Sequence, residues 1–346
     1  MHVLEAGDVR NACVLLLHGF PELAYSWRKV MPTLAKAGYY VVAPDQRGYG
    51  GTTGWDERDL PSFALGNLVQ DVTALLQRLN ISQAHVVGHD FGSFVAGAAA
   101  LLRPDVCRSV VFMSAPFGGV GPGVKDPSAE LALLDPPRKH YQWYYSTPAA
   151  DRDMRECKEG IHAFMRAYYH MKSADWPDNR PYPLKAWSAQ ELAKLPRYYV
   201  MDLEQDMAQT VARHMPESAP AWLTDEELSV YSRAFVKTTF QGALNWYRCG
   251  TGGLSAASLK TAAGRAIEIP AGYIAGAADW GIYQKPGEFE RMQTSAVCAD
   301  WRGAHLIEGA GQWVQQEKAE RVTELLLDYF SKRGQDPFPG KRVGLP

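Results

Sequence analysis

Four short apolar runs punctuate the first third of the chain, each ending in a small or polar loop. They are Cys13–Leu17 before His18-Gly19, residues 39–43 before Pro44-Asp45, residues 85–87 before Gly88, and residues 109–113 before Ser114. Their hydrophobicity is continuous rather than alternating, which marks strands buried on both faces and so a parallel sheet. Between them, Leu65, Leu68, Val69, Val72, Leu75, Leu76 and Leu79 recur at i, i+3, i+4 spacing and predict a helix within residues 60–79. Residues 93–102, rich in alanine, predict another helix whose small side chains permit close packing on the sheet. Strands alternating with helices predict an α/β fold.

From about residue 120 to 250 the pattern changes. The chain becomes aromatic-rich and helical, broken at Pro136-Pro137, Pro177, Pro181, Pro183, Pro216 and Pro220, with no clear buried-strand run. Strand-like segments return at 267–276 and 304–308. A closing amphipathic helix follows, with Val322, Leu325, Leu326, Tyr329 and Phe330 on one face. This organisation predicts one α/β core, a mostly parallel sheet flanked by helices, interrupted by an inserted helical cap. Residues 1–120 form the first part of the core, 121–250 the cap and 251–333 the second part. The tail, 334–346, is expected to be a surface strap. The chain starts close to its first strand pair, so N-terminal sheet structure is expected to be shortened or absent.

Composition narrows the function classes. With 346 residues, 46% hydrophobic and 11% aromatic, the chain can bury a large core and is not a disordered polymer. The 36 Lys+Arg against 38 Asp+Glu give a net charge of −2, which leaves no electrostatic footprint for nucleic acid. Plain apolar runs such as residues 14–17 fall far short of the ~18 residues of a membrane span. The first seven residues lack a basic region followed by an apolar stretch, so no signal peptide is expected. The five cysteines lie far apart with no CxxC pair, which fits reduced thiols in a cytoplasmic enzyme. No phosphate loop, dinucleotide fingerprint or metal-ligand cluster is present, so no cofactor is implied. The expected partner is a small apolar molecule, and a homodimer stays open.

The chemistry concentrates in a few motifs. Gly88-His-Asp-Phe-Gly92 follows an apolar strand and precedes a small-residue helix, the context of a nucleophile elbow with Asp90 where a serine hydrolase carries Ser. Taken alone, Asp90 would read as a helix cap; the strand–turn–helix context favours a nucleophile. His18-Gly-Phe-Pro-Glu22 follows the first buried strand, where the backbone N–H groups of Phe20 and Phe91 are expected to stabilise negative charge developing on an oxygen. Asp279, in the loop after the strand ending at Gly276, is the candidate acid.

These stretches, together with Asp45-Gln-Arg-Gly-Tyr-Gly50, Tyr141-Gln-Trp-Tyr144 and Asn245-Trp-Tyr-Arg248, resemble the epoxide hydrolases of the α/β-hydrolase superfamily over nearly the whole chain. The resemblance implies that Tyr141 and Tyr247 face the nucleophile and hydrogen-bond the oxygen of the opening ring. It places a general-base histidine between Gly311 and Trp313, where this chain has Gln312. An amide has no usable basicity, so ring opening by Asp90 is expected to proceed while hydrolysis of the resulting alkyl–enzyme ester is impaired. Neither His305, on the preceding strand, nor His89, beside the nucleophile, is a convincing substitute.

Two origins of Gln312 stay open: a substitution engineered into a hydrolase, towards which the otherwise complete set leans, and natural loss. The alternatives are an isomerase or cyclase, or a ligand-binding protein, on the same scaffold. A dehalogenase is a minor alternative, because Phe91 lacks the indole N–H that would bind a departing halide. Pro21, Trp143, Tyr144, Trp246, Trp280 and Trp313 are expected around an apolar, weakly charged substrate pocket.

Overall fold

The computed structural model describes residues 1–121, 123 and 125–331. The tail expected to act as a strap lies outside the described residues. Among the described residues nine strands form: β1 (Val3–Ala6), β2 (Cys13–Leu17), β3 (Tyr40–Pro44), β4 (Ala84–His89), β5 (Cys107–Met113), β6 (Arg138–His140), β7 (Val200–Asp202), β8 (Ala271–Gly276) and β9 (Trp301–Ile307). Seven of them make one sheet in the order β1-β3-β2-β4-β5-β8-β9, parallel except for β1, which runs antiparallel to β3. β1 is the N-terminal sheet structure expected to be shortened or absent: it is present, four residues long. The continuous apolar runs become β2, β3 and β4, buried throughout, as a sheet covered on both faces requires.

Helix α1 (Leu65–Arg78) buries Leu68, Val69, Val72 and Leu76, the stripe read from the spacing. Its predicted first turn is instead a separate 3₁₀ turn at Leu60–Phe63, where Pro61 withholds an N–H. Helix α2 (Phe91–Leu102) follows β4 directly. The segment predicted as strand from residue 267 pairs continuously only from Ala271. Pro270 has no N–H for a ladder, and Ile267 makes an isolated bridge to Cys298.

Between β5 and β8 the chain builds a layer over the sheet's C-terminal edge. It contains α3 (Tyr141–Tyr145), α4 (Gly160–Lys172), α5 (Asp225–Thr238) and α6 (Gln241–Thr251). It also contains the antiparallel β6–β7 pair, too short for a hydrophobic run to announce. Polar latches tie this layer to the sheet loops. Arg28 pairs with Glu227 at 2.9 Å, Ser26 with Tyr231 at 2.9 Å, and the Tyr169 hydroxyl donates to the Pro21 carbonyl at 3.1 Å. The other face of the sheet is covered by α7 (Ala319–Phe330), which buries the predicted Val322, Leu325, Leu326, Tyr329 and Phe330. Among the described residues, no helix is long and apolar enough to cross a membrane.

Candidate active site

The C-terminal ends of β2, β4 and β5 meet in register at Leu17, Gly88 and Phe112. Here β4 passes to α2 through Asp90, whose φ of 53° and ψ of −117° are unusual for a residue with a side chain. Such a conformation costs on the order of 1–3 kcal/mol and persists only when its surroundings enforce it. The glycines do so by close approach. A Cβ on Gly92 would lie 2.2 Å from the Leu17 carbonyl oxygen, one on Gly88 2.1 Å from that of Gly92, and one on Gly19 2.3 Å from the Asp90 Cβ. The elbow carries the carboxylate up to the loop after β2, where the Phe20 N–H donates to Oδ1 at 3.0 Å. No such bond is formed from Phe91.

That loop is braced from beneath. Nδ1–H of buried His18 donates to the Gly19 carbonyl at 2.9 Å, while Nε2 accepts from the Gln46 N–H at 3.0 Å. His89 points away from the cavity. Its Nδ1 pairs with Glu22 at 2.6 Å and its Nε2 donates to the Gln312 carbonyl at 2.7 Å. Burial alone would lower the His89 pKa, but the Glu22 charge raises it to about 9. The pair is therefore imidazolium and carboxylate at neutral pH. With both nitrogens committed, His89 has no lone pair for a water molecule. Glu22 also accepts from the Gly19 N–H and from the side chains of Gln315 and Gln316, a fully bonded buried hub. The sequence motif contained Glu22, but nothing in it announced this pairing.

Above Asp90 stand Tyr141 on α3 and Tyr247 on α6, both lining a small reactive pocket of about 20 Å³ with Phe91, Phe94, Gln284 and Lys285. The Tyr141 hydroxyl donates to Gln284 Oε1 at 2.9 Å and accepts from Gln142 at 3.2 Å. The Tyr247 hydroxyl makes no hydrogen bond among the described residues; its ring packs on Phe91, with centroids 4.6 Å apart. Burial, reinforced by the Asp90 charge, pushes both phenols well above their ordinary range, so both stay protonated. Phe91, Phe94, Gln142, Tyr247 and Lys285 also border a larger chamber of about 430 Å³.

Gln312 follows β9, and its main chain is pinned on both sides: its N–H donates to the Lys172 carbonyl at 2.9 Å and its carbonyl accepts from His89. The Tyr199 hydroxyl donates to Oε1 at 3.3 Å, which turns the amide NH₂ towards Asp90 Oδ2, also at 3.3 Å. Asp279, after β8, is 1% exposed. Its Oδ1 accepts from the Gly281 N–H at 2.7 Å. Burial raises its pKa, against the lowering effect of the Ser114 hydroxyl as a hydrogen-bond donor. His305 stays within β9.

The expected pocket lining is partly corrected. Trp143 and Trp246 border the chamber. Pro21, Tyr144, Trp280 and Trp313 are outside the linings of both cavities. Trp313 is consumed in packing, stacked on Tyr169 at 4.3 Å with its Nε1–H on the Tyr169 carbonyl. Tyr144 bonds Asp153, and Trp280 packs against Tyr182. The walls are also more charged than expected, since Lys285, Glu288 and Arg291 border the chamber. Gln284 and Tyr199, which orient Tyr141 and Gln312, carried no signal in the sequence.

A strained acidic residue between strand and helix, a backbone donor from the loop after β2 and a helical layer over the sheet's edge define an α/β hydrolase. A family model for the alpha/beta hydrolase fold matches residues 13–200. The chain is 33% identical to epoxide hydrolase B of Mycobacterium tuberculosis over 337 residues, covering 93% of this chain and 92% of that protein. It superposes on an epoxide hydrolase from an endophytic Streptomyces with a TM-score of 0.79 and 30% identity, covering 95% and 91% of the two chains. Epoxide hydrolase A from Mycobacterium thermoresistibile follows with a TM-score of 0.76 and 32% identity, covering 95% and 93%. The chain belongs to the epoxide hydrolases of the α/β-hydrolase superfamily.

Proposed function

We propose that this protein opens an apolar epoxide by attack of Asp90, forming an alkyl–enzyme ester that Gln312 leaves long-lived. The observation that carries this reading is the shared pocket of Asp90, Tyr141 and Tyr247. A carboxylate fixed at Oδ1 by the Phe20 N–H lies in one cavity with two protonated phenols. Oδ2 attacks a ring carbon, the carbon–oxygen bond breaks, and a phenol protonates the departing oxygen. The ester then waits for water. Gln312 presents an NH₂ group towards the reacting oxygen and cannot accept a proton from water, so hydrolysis falls by about 10²–10⁴-fold relative to a site with a base.

Intact-mass measurement on the protein incubated with aryl and alkyl epoxides tests the reading. The expected result is one adduct of the epoxide's mass, mapped to Asp90 and absent from Asp90→Asn. If neither an adduct nor diol forms with any epoxide, the reading fails, and rearrangement or simple binding in the same pocket takes its place.

A further inference from the structure

Lys285 follows Gln284, which accepts from the Tyr141 hydroxyl, and it borders three cavities at once. One is the reaction pocket of Asp90, Tyr141 and Tyr247, and the second is the chamber of about 430 Å³. The third is an outer cleft of about 280 Å³ beside Pro183 and Tyr283. The half-buried Lys285 side chain places Nζ 5.2 Å from the ring centroid of Phe94. Phe94 itself borders both inner cavities, so the cationic head group stands at their shared wall. Among the described residues this head group makes no ion pair and no hydrogen bond. The chamber's acid, Glu288, commits Oε2 to the Gly118 N–H at 3.1 Å.

A neutral substrate gives such a cation nothing to do, and partial burial without a partner costs it hydration. An anionic substrate needs it. The charge of an epoxide bearing a carboxylate would be repelled by the Asp90 carboxylate that must attack the ring. A cation on the wall common to pocket and chamber offsets that repulsion for an anion held within a few bonds of the ring. We propose that Lys285 makes this enzyme select α,β-epoxy acids, which carry a carboxylate on one ring carbon and an apolar group on the other; this rests on the ring-opening reading above. The carboxylate pairs with Lys285, and the apolar group lies in the chamber among Phe91, Phe94 and Trp246. Asp90 Oδ2 forms a bond to a ring carbon, and the bond from that carbon to the ring oxygen breaks. The oxygen keeps the electron pair and takes a proton from a phenol, which is left as phenolate. Position carries the assignment as much as charge does. Arg291 borders the chamber but not the reaction pocket, whereas Lys285 borders both, so the anion belongs beside the ring and not at the far end of a long chain.

The test is the rate of Asp90 adduct formation with β-phenylglycidate and with its methyl ester, which keeps the ring and the phenyl group but not the charge. The native chain, Lys285→Met and Lys285→Glu are compared, with melting curves to check folding. The quantity read is the acid-to-ester rate ratio, because the ester controls for any general effect of the substitution. Lys285→Met is expected to lower that ratio by ~10-fold or more, the weight of one charge-assisted hydrogen bond, and Lys285→Glu to lower it further. A ratio unchanged in Lys285→Met overturns the proposal; if the glutamate variant does not fold, this comparison still decides. A native chain that is alkylated by styrene oxide and the ester but not by the acid overturns it too, and leaves ring opening standing. If no epoxide alkylates the native chain, the ring-opening reading falls and this selectivity with it.

Discussion

Replacing Gln312 with His tests whether position 312 is that of a general base. In the native chain the amide faces Tyr199 and Asp90, and Asp279 is buried after β8. An imidazole on the same pinned main chain would donate Nδ1–H to Asp279 and turn Nε2 to the ester on Asp90. General-base catalysis contributes about 10²–10⁴-fold, or about 3–5 kcal/mol of activation free energy. In the proposed reaction that gain falls on ester hydrolysis, since attack of Oδ2 on the ring requires no base. Stability changes little. A new bond to Asp279 contributes about 1 kcal/mol, and the lost Tyr199 bond costs about as much.

Rapid quench with mass detection separates the two steps. The native chain is expected to give a burst of one adduct per molecule followed by slow diol release. The variant is expected to form adduct at a similar rate and to release diol about 10²–10⁴-fold faster. Two results would refute the reasoning: a native chain that releases diol as fast as the variant, or a variant whose adduct persists as long as the native one.

Three further outcomes are expected. Tyr247→Phe should slow ring opening by ~10²-fold or more, and Tyr141→Phe by less, because only Tyr247 has an uncommitted hydroxyl; equal losses in adduct time courses would contradict this asymmetry. The folded-state pKa of His89 lies above its unfolded value, so its contribution is complete below pH 6.5 and is lost as pH rises through about 9. Urea melts at pH 6.5 and 9.5 should differ by on the order of 3 kcal/mol, and Glu22→Gln should abolish most of that difference; a pH-independent midpoint would mean the imidazolium pair is not formed. Gly92→Ala places a Cβ 2.2 Å from the Leu17 carbonyl, between backbones that cannot yield, and should cost about 3 kcal/mol or more in a urea melt. Native stability in that variant would show that the elbow can open.

The fold was legible wherever one segment's own pattern decided its fate. Strands β2, β3 and β4 are buried on both faces, so their residues had to be continuously apolar, and α1 kept one face on the sheet, so its stripe repeats every three to four residues. Where a partner distant in sequence decides, the pattern was mute. The three-residue β6 exists because β7 pairs with it from some 60 residues away. Trp313, Tyr144 and Trp280 looked like pocket walls because aromatic rings serve packing and binding equally well; only their neighbours, such as Tyr169 under Trp313, decide between the two.

The geometry also accounts for how the loop around residue 312 is held. Residue 312 is held by its main chain: its N–H bonds the Lys172 carbonyl, its carbonyl accepts from His89, and the adjoining Gly311 and Trp313 N–H groups donate to Glu317 at 3.0 Å. A Cβ on Gly311 would lie 2.5 Å from the Ser173 carbonyl carbon, so the glycine is demanded by the α4 terminus rather than by chemistry at residue 312. None of these constraints reads the side chain of residue 312. The side chain at 312 can therefore be exchanged with the loop, the elbow and the Glu22–His89 brace left in place. In the proposed reaction ring opening draws on Phe20, Tyr141 and Tyr247 and ester hydrolysis on residue 312, so exchange of this one side chain is expected to part the two steps.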